Sequence, residues 1–302
     1  MASLPASKQI DINGCQTWHQ TRFNTPRGIG RVAAVVIGVV ALAGCSSKND
    51  AKLLNPDPPD RMYAIADALL TAGKHESAAK KFEDLDRDHP YAPEARRAIV
   101  MSSFAYYKAG KYPEAIANGK RYTTLHPGTK DAALAHYVVA SSYYDEIRGP
   151  EQDQGVTQKA LAEFKILKAR YPDSQYAKEV DNKIRVCLDS IASGEMSVGR
   201  QYLKQKQYLA SIGRFQVVVK EYQTTAHVEE ALMRLTEAYM YLGIKNEAQN
   251  AAAVLGHNFP DSPWYRDAYA LLQNDGLVPR ESGSSWLPKI FQGIKAPKLS
   301  LN

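Results

Sequence analysis

The chain has 302 residues, 44% of them hydrophobic, with a formal charge of +6; that length suits one or two domains or one elongated repeat array. Four basic residues stand against Asp11 in residues 1–44, so the remainder carries 34 basic and 31 acidic side chains, too even a balance for a nucleic-acid footprint. The three cysteines, Cys15, Cys45 and Cys187, are too few and too unpatterned for a disulfide framework.

From the N-terminus, Arg22, Arg27 and Arg31 precede 13 uncharged, mostly apolar residues, Val32–Gly44. A membrane-spanning helix needs about 20 such residues. A basic segment, a short apolar run and small residues before a cut are the parts of a secretory signal, expected over 1–44. Leu42-Ala43-Gly44-Cys45 resembles the bacterial lipobox. That resemblance implies that the Cys45 thiol accepts a diacylglycerol, and that the new N-terminus is then acylated; several acyl chains give stable anchoring. Ser46 at the next position implies the outer membrane. Gly28-Ile29-Gly30-Arg31-Val32-Ala33 mimics a dinucleotide fingerprint, but no strand precedes it. Residues 45–60, polar and proline-bearing after the cysteine, read as a lipidated linker.

Beyond the linker the chain repeats. Ala78, Ala115, Ala160, Ser211 and Ala248 are separated by 37, 45, 51 and 37 residues, and Pro90, Pro127, Pro172, Gln223 and Pro260 keep the same intervals. Between them Phe82, Phe164 and Phe215 recur, with Gly119 and Ala252 in the other two units. Gly73, Gly110 and Gly243 fall where a turn between two helices needs positive φ, and the prolines stop the second helices. The pattern resembles the tetratricopeptide repeat. It predicts an all-α superhelix of five helix-turn-helix units over 61–275, its halves meeting near 172/173. The third unit carries eight extra residues between its helices, in Asp145–Val156. Fourteen more, between the third and fourth units, predict an extended helix over Ser174–Ser193 that breaks near Gly194. Tyr176, Val180, Ile184, Cys187 and Ile191 share one face of it, which makes Cys187 a packed residue.

Such solenoids present a concave surface to extended or helical peptides. Tyr63, Phe104, Tyr106, Tyr107, Tyr137, Tyr143 and Tyr144 crowd the first helices; most are expected to pack between repeats, the rest to line a groove. No catalytic or metal motif emerges. The histidines lack ligand spacing, and Asp84-x-Asp86-x-Asp88 has His89 where a calcium loop needs glycine. The expectation is a non-enzyme without metal or cofactor apart from the lipid on Cys45. The last segment, 276–302, is expected to be a flexible or partner-docking tail. Trp286, Ile290, Phe291 and Ile294 lie near one helical face among Lys289, Lys295 and Lys298, suited to lipid, a partner or the solenoid itself.

A lipobox, a short linker and five repeats with an extended fourth resemble the BamD (ComL) family, as do the stretches Lys81–Ala98, Ser102–Ile116 and Ala169–Val180. The third-repeat insert and the lysine-rich tail depart from it. The resemblance implies an outer-membrane lipoprotein of the β-barrel assembly machinery, facing the periplasm. It would hold the C-terminal segments of unfolded barrel proteins with Tyr63, Tyr91, Arg96, Arg97, Phe104 and Tyr107. Repeats four and five would dock the periplasmic domain of the barrel-forming, Omp85-type subunit, with Arg214 pairing an acidic residue there; accessory assembly lipoproteins would join them. Two other readings stay open: a repeat lipoprotein that scaffolds peptidoglycan or cell-division enzymes, and an enzyme using Glu151 and Asp153 of the insert.

Overall fold

The computed structural model describes residues 57–282 and 285–291; Cys45, the signal segment, most of the linker and the last residues of the tail lie outside them. Twelve helices and no strand occur among the described residues. Five antiparallel pairs follow one another: α1 (Pro59–Thr71) with α2 (His75–Asp88), α3 (Pro93–Lys108) with α4 (Tyr112–Leu125), α5 (Ala132–Asp145) with α6 (Gly155–Arg170), α7 (Val180–Lys204) with α8 (Tyr208–Glu221), and α9 (His227–Tyr241) with α10 (Lys245–Asn258). A further helix, α11 (Pro263–Asn274), packs on α9 and α10, and the short α12 (Leu287–Phe291) packs on α10. First helices also meet first helices: α1 with α3, α3 with α5, α7 with α9 and α9 with α11.

The repeat landmarks are the core. Ala78, Ala115, Ala160, Ser211 and Ala248 are fully buried, as are Phe82, Phe164, Phe215 and Ala252, because a small residue on the second helix lets its backbone close on the first. Gly119 replaces phenylalanine where the neighbouring repeat fills the space: a Cβ there would sit 2.4 Å from Val139 Cγ2.

Each tight turn ends its first helix in the same way. Gly73 N–H bonds to Leu70 O and Lys74 N–H to Leu69 O; Gly110 and Lys111, Gly243 and Ile244 repeat the pattern. These are Schellman caps, whose C′ residue must take positive φ; Gly73, Gly110 and Gly243 have φ of 71–74°. In the fourth pair Lys206 makes the same cap with φ 59°. The second helices end at His89, His126, Tyr171, Tyr222 and Phe259, each bonding back to the carbonyl four residues earlier.

The extended helix differs from expectation. Residues 174–179 form turns, α7 begins at Val180, and it runs unbroken through Gly194 to Lys204, 25 residues in all. Gly194 is there for space, since a Cβ would come within 2.9 Å of Pro150 O and 3.2 Å of Gln154 Cγ. The third-pair insert therefore leans on α7 at Gly194. Cys187 and Val180 are fully buried and Ile191 almost so, on the packed face.

Residues 277–291, where described, lie against the last pairs. Gln249 donates to Val278 O at 2.7 Å and Ser285 Oγ to Glu247 Oε2 at 2.8 Å. Leu287 is fully buried, Phe291 and Trp286 join the same core, and Lys220 Nζ sits 4.7 Å from the Trp286 ring centre. The start of the tail thus covers the solenoid's own apolar surface.

Candidate functional site

The first helices of the first three pairs bring aromatic and cationic side chains to one face. On α1, Tyr63 packs edge-on against Phe82 with ring centres 5.3 Å apart, and the Arg97 guanidinium of α3 lies 5.9 Å from its centroid. Burial pushes the Tyr63 hydroxyl above its ordinary range while Arg97 opposes the shift. Two to three turns along α3 from Arg97, Lys108 Nζ stands 5.4 Å over Phe104 and 5.9 Å over Tyr107. Tyr107 donates to Asp145 Oδ2 of α5 at 2.9 Å; burial first and that carboxylate second raise its pKa well above the usual phenol range. Tyr106 and Tyr143 are instead buried between helices, as most of these aromatics were expected to be.

Beside this face opens a cleft of about 660 Å³ between α3, the start of α5 and the connection from α6 to α7. Its floor is apolar, from Val100, Met101, Ala133 and Leu134; its rim carries Arg97, Lys130 and Arg170 against Asp131 and Asp173. Tyr171 and Tyr176 form the wall. Tyr176 stacks on Tyr137 at 4.9 Å, and Tyr137 donates to Glu179 Oε2 at 3.2 Å, which ties the wall to the first-helix face. Lys183 of α7 completes the join: its Nζ lies 5.1–5.8 Å from the rings of Tyr137, Tyr144 and Phe164. Behind the wall, His136 Nδ1 is 2.9 Å from Glu163 Oε2 and its ring 5.8 Å from that of Tyr171.

The six expected peptide-binding residues do not form one cluster. Tyr63, Arg97, Phe104 and Tyr107 lie along the first-helix face, and Arg97 alone of the six lines the large cleft. Tyr91, 99% exposed, and Arg96 line a smaller cleft of about 420 Å³ with Asp86, Pro90 and His126. Adjacent positions on a helix point about 100° apart, so two neighbouring arginines serve different surfaces. Lys130, Arg170, Tyr171 and Tyr176 were missed because Lys130 and Tyr171 lie in connections, Arg170 ends α6, and Tyr176 was expected on the packed face of a helix that begins only at Val180.

Arg214 projects from α8, half exposed, and donates from Nη1 to Glu195 Oε2 of α7 at 3.0 Å. A docking acid would therefore meet an arginine that already has a partner within the chain. On α9, Arg234 bonds to Glu237 at 2.8 Å and to Glu230 at 3.4 Å, and lies 5.5 Å from the centre of the Trp264 ring on α11.

Asp84, Asp86 and Asp88 each pair with a basic side chain, namely Lys81 and Arg87, Arg121, and Arg87. Among the described residues no group of three or more His, Cys, Asp or Glu could hold a metal ion. The Cys187 thiol is pushed up to about 11 by burial, which suits a packing role rather than reactivity. No described helix is long and apolar enough to cross a membrane.

A family model described as an outer membrane lipoprotein, YfiO, matches residues 55–255 of this chain. The chain is 40% identical over 250 residues to the outer membrane protein assembly factor BamD of Caulobacter vibrioides, covering 82% of each protein. It is 38% identical over 242 residues to the protein of that name from Rickettsia prowazekii, covering 80% of this chain and 96% of the relative. With the one from Neisseria meningitidis serogroup A the identity is 29% over 244 residues, 76% of this chain and 91% of the relative.

Proposed function

The chain belongs to the BamD (YfiO) family, which gives it a role in outer-membrane protein assembly, and on that premise we propose that it acts as a lipid-anchored, non-enzymatic scaffold at the periplasmic face of the outer membrane. Acylation of Cys45 would tether it. The first-helix face of pairs one to three then receives the C-terminal segment of an unfolded barrel protein, an amphipathic strand ending in an aromatic residue and a carboxylate.

The observation that carries this reading is the cleft with an apolar floor and three cations on its rim. Alternate side chains of an extended segment can rest on Val100, Met101 and Leu134, and its carboxylate can take charge-assisted hydrogen bonds from Arg97, Lys130 or Arg170. Asp131 and Asp173 on the same rim repel acidic segments, which supplies discrimination as well as attraction. Tyr63, Phe104 and Tyr107 extend the apolar track along α1 and α3 and offer ring faces to the terminal aromatic. The side chains involved bind and orient a strand, and no bond is made or broken.

Pairs four and five are left to the second partner, the periplasmic domain of the Omp85-type barrel subunit, with accessory assembly lipoproteins joining the complex. Arg214 would exchange Glu195 for an acid of that domain. Depleting the protein and measuring folded barrel proteins in the outer membrane tests the proposal: their level should fall and unfolded precursors should rise. Unchanged barrel assembly, with a defect confined to peptidoglycan, would overturn it.

A further inference from the structure

We propose that the tight-turn edge of pairs four and five is a membrane-contact surface that rests on anionic phospholipid headgroups. In a stack of antiparallel pairs, all turns from first to second helix lie along one edge, and all returns to the next pair lie along the other. On the first edge, Tyr208 at the start of α8 stacks on Tyr241 at the end of α9, with ring centres 4.8 Å apart and planes 14° apart. Around this pair Leu209 is 74% exposed and Tyr241 62% exposed, and Leu242 and Ile244 are also open to solvent. Apolar side chains left open together, not scattered singly, mark a contact surface.

The charges say what kind of surface. The tight turns 72–74, 109–111, 205–207 and 242–244 contain Lys74, Lys111 and Lys206 and no acidic residue. Lys204 and Lys245 flank the last two, Lys245 standing 3.6 Å from Asp275. The return connections at 89–92, 126–131, 171–179, 222–226 and 259–262 hold Asp131, Asp173, Glu179 and Asp261 against Lys130 and Lys178. The third-pair insert is the acidic exception on the tight-turn edge, and its Glu151 lines a cleft with Lys204. Tyrosines that carry an apolar ring and a polar tip, leucine and isoleucine beside them, and lysines around them form the pattern that settles at a lipid interface. Eleven residues separate Cys45 from Asp57, a tether of at most about 40 Å. This supporting point rests on the acylation proposed above, whereas the apolar edge does not.

The test reconstitutes the full-length protein, as it is purified from membranes, with a lipid excess of phosphatidylethanolamine and phosphatidylglycerol vesicles whose acyl chains are partly brominated. Leu209→Trp and Tyr91→Trp place a reporter on each edge at an exposed site, and the unsubstituted protein supplies the background of its own tryptophans. Emission from residue 209 should shift to the blue and be quenched, and emission from residue 91 should not. Replacing phosphatidylglycerol by phosphatidylcholine, or introducing Lys204→Glu with Lys206→Glu, should bring the quenching at 209 down to the level at 91. Equal quenching at both sites, or quenching at 209 indifferent to both charge changes, would overturn the proposal. A protein partner as the true occupant gives no quenching at 209, because the vesicles contain none. Flotation reports the anchor separately. Protein that floats with residue 209 unquenched overturns the edge and keeps the anchor; quenching at 209 that persists in Cys45→Ser, which carries no acyl chain, keeps the edge without the anchor.

Discussion

Lys206 shows how a single position reports the repeat and its local cost. It holds the left-handed conformation that glycine takes in three other tight turns. A side chain there costs about 1–2 kcal/mol, and glycine would return about 0.5–1 kcal/mol of that through the freer unfolded chain. Lys206→Gly should therefore stabilise the protein by about 0.5–1 kcal/mol, seen as a higher urea midpoint with an unchanged slope. Arg214→Leu removes a half-exposed pair with Glu195, worth at most about 1 kcal/mol to the fold. The variant should unfold at nearly the wild-type midpoint yet lose co-purification of the barrel subunit. Undiminished co-purification would remove Arg214 from that interface. The landmarks at Ala78, Phe82 and their counterparts were legible because burial by a fixed period is a local signal. Arg96 and Arg97 were not separable, since their chemistry is the same and only the helix geometry sends them to different clefts.

At the scale of elements, the pairs and their turns followed from periodicity, glycine and proline, but the long helix did not end where glycine suggested. In α7 the glycine at 194 answers to the insert: the peptide at Pro150 fills the space a side chain would need. Helix propensity registers only the cost of glycine, about 1 kcal/mol, and cannot tell a breaker from a close approach. Gly194→Leu should cost about 1–3 kcal/mol through overpacking and lift the insert off α7. Limited proteolysis within 146–154 should quicken while the other connections stay resistant. Equal cleavage in variant and wild type would mean that the insert does not depend on that gap. The helix α11 was hidden for the opposite reason, having no partner helix and so no repeat to mark it. It closes the stack by burying Ala268 and Leu272 against α9 and α10, as a terminal cap should. The docked start of the tail was open to several readings because Trp286 and Phe291 suit lipid, partner and core alike; packing against α8, α9 and α10 decides for the core.

For the molecule as a whole, stacking shapes the proposed binding face. Each pair hides one side against its neighbours, and what remains is a face built from side chains far apart in sequence. Tyr63, Arg97, Lys130, Arg170 and Tyr176 come from three pairs and two connections, so no single motif announces them. Family resemblance directed attention to the first three pairs, and the fold shows a cleft there. The central claim is that this cleft reads the terminal carboxylate and aromatic residue of a barrel segment. Its most direct test is the anisotropy of a labelled peptide with that ending, titrated with the wild type, Arg97→Glu and Arg96→Glu. Charge-assisted bonds contribute about 1.5–3 kcal/mol, so Arg97→Glu should weaken binding by about tenfold or more. Amidating the peptide's terminus should do the same to the wild type, and Arg96→Glu should leave affinity within about twofold. Equal losses from the two arginines, or an amidated peptide that binds as well as the acid, would contradict the account.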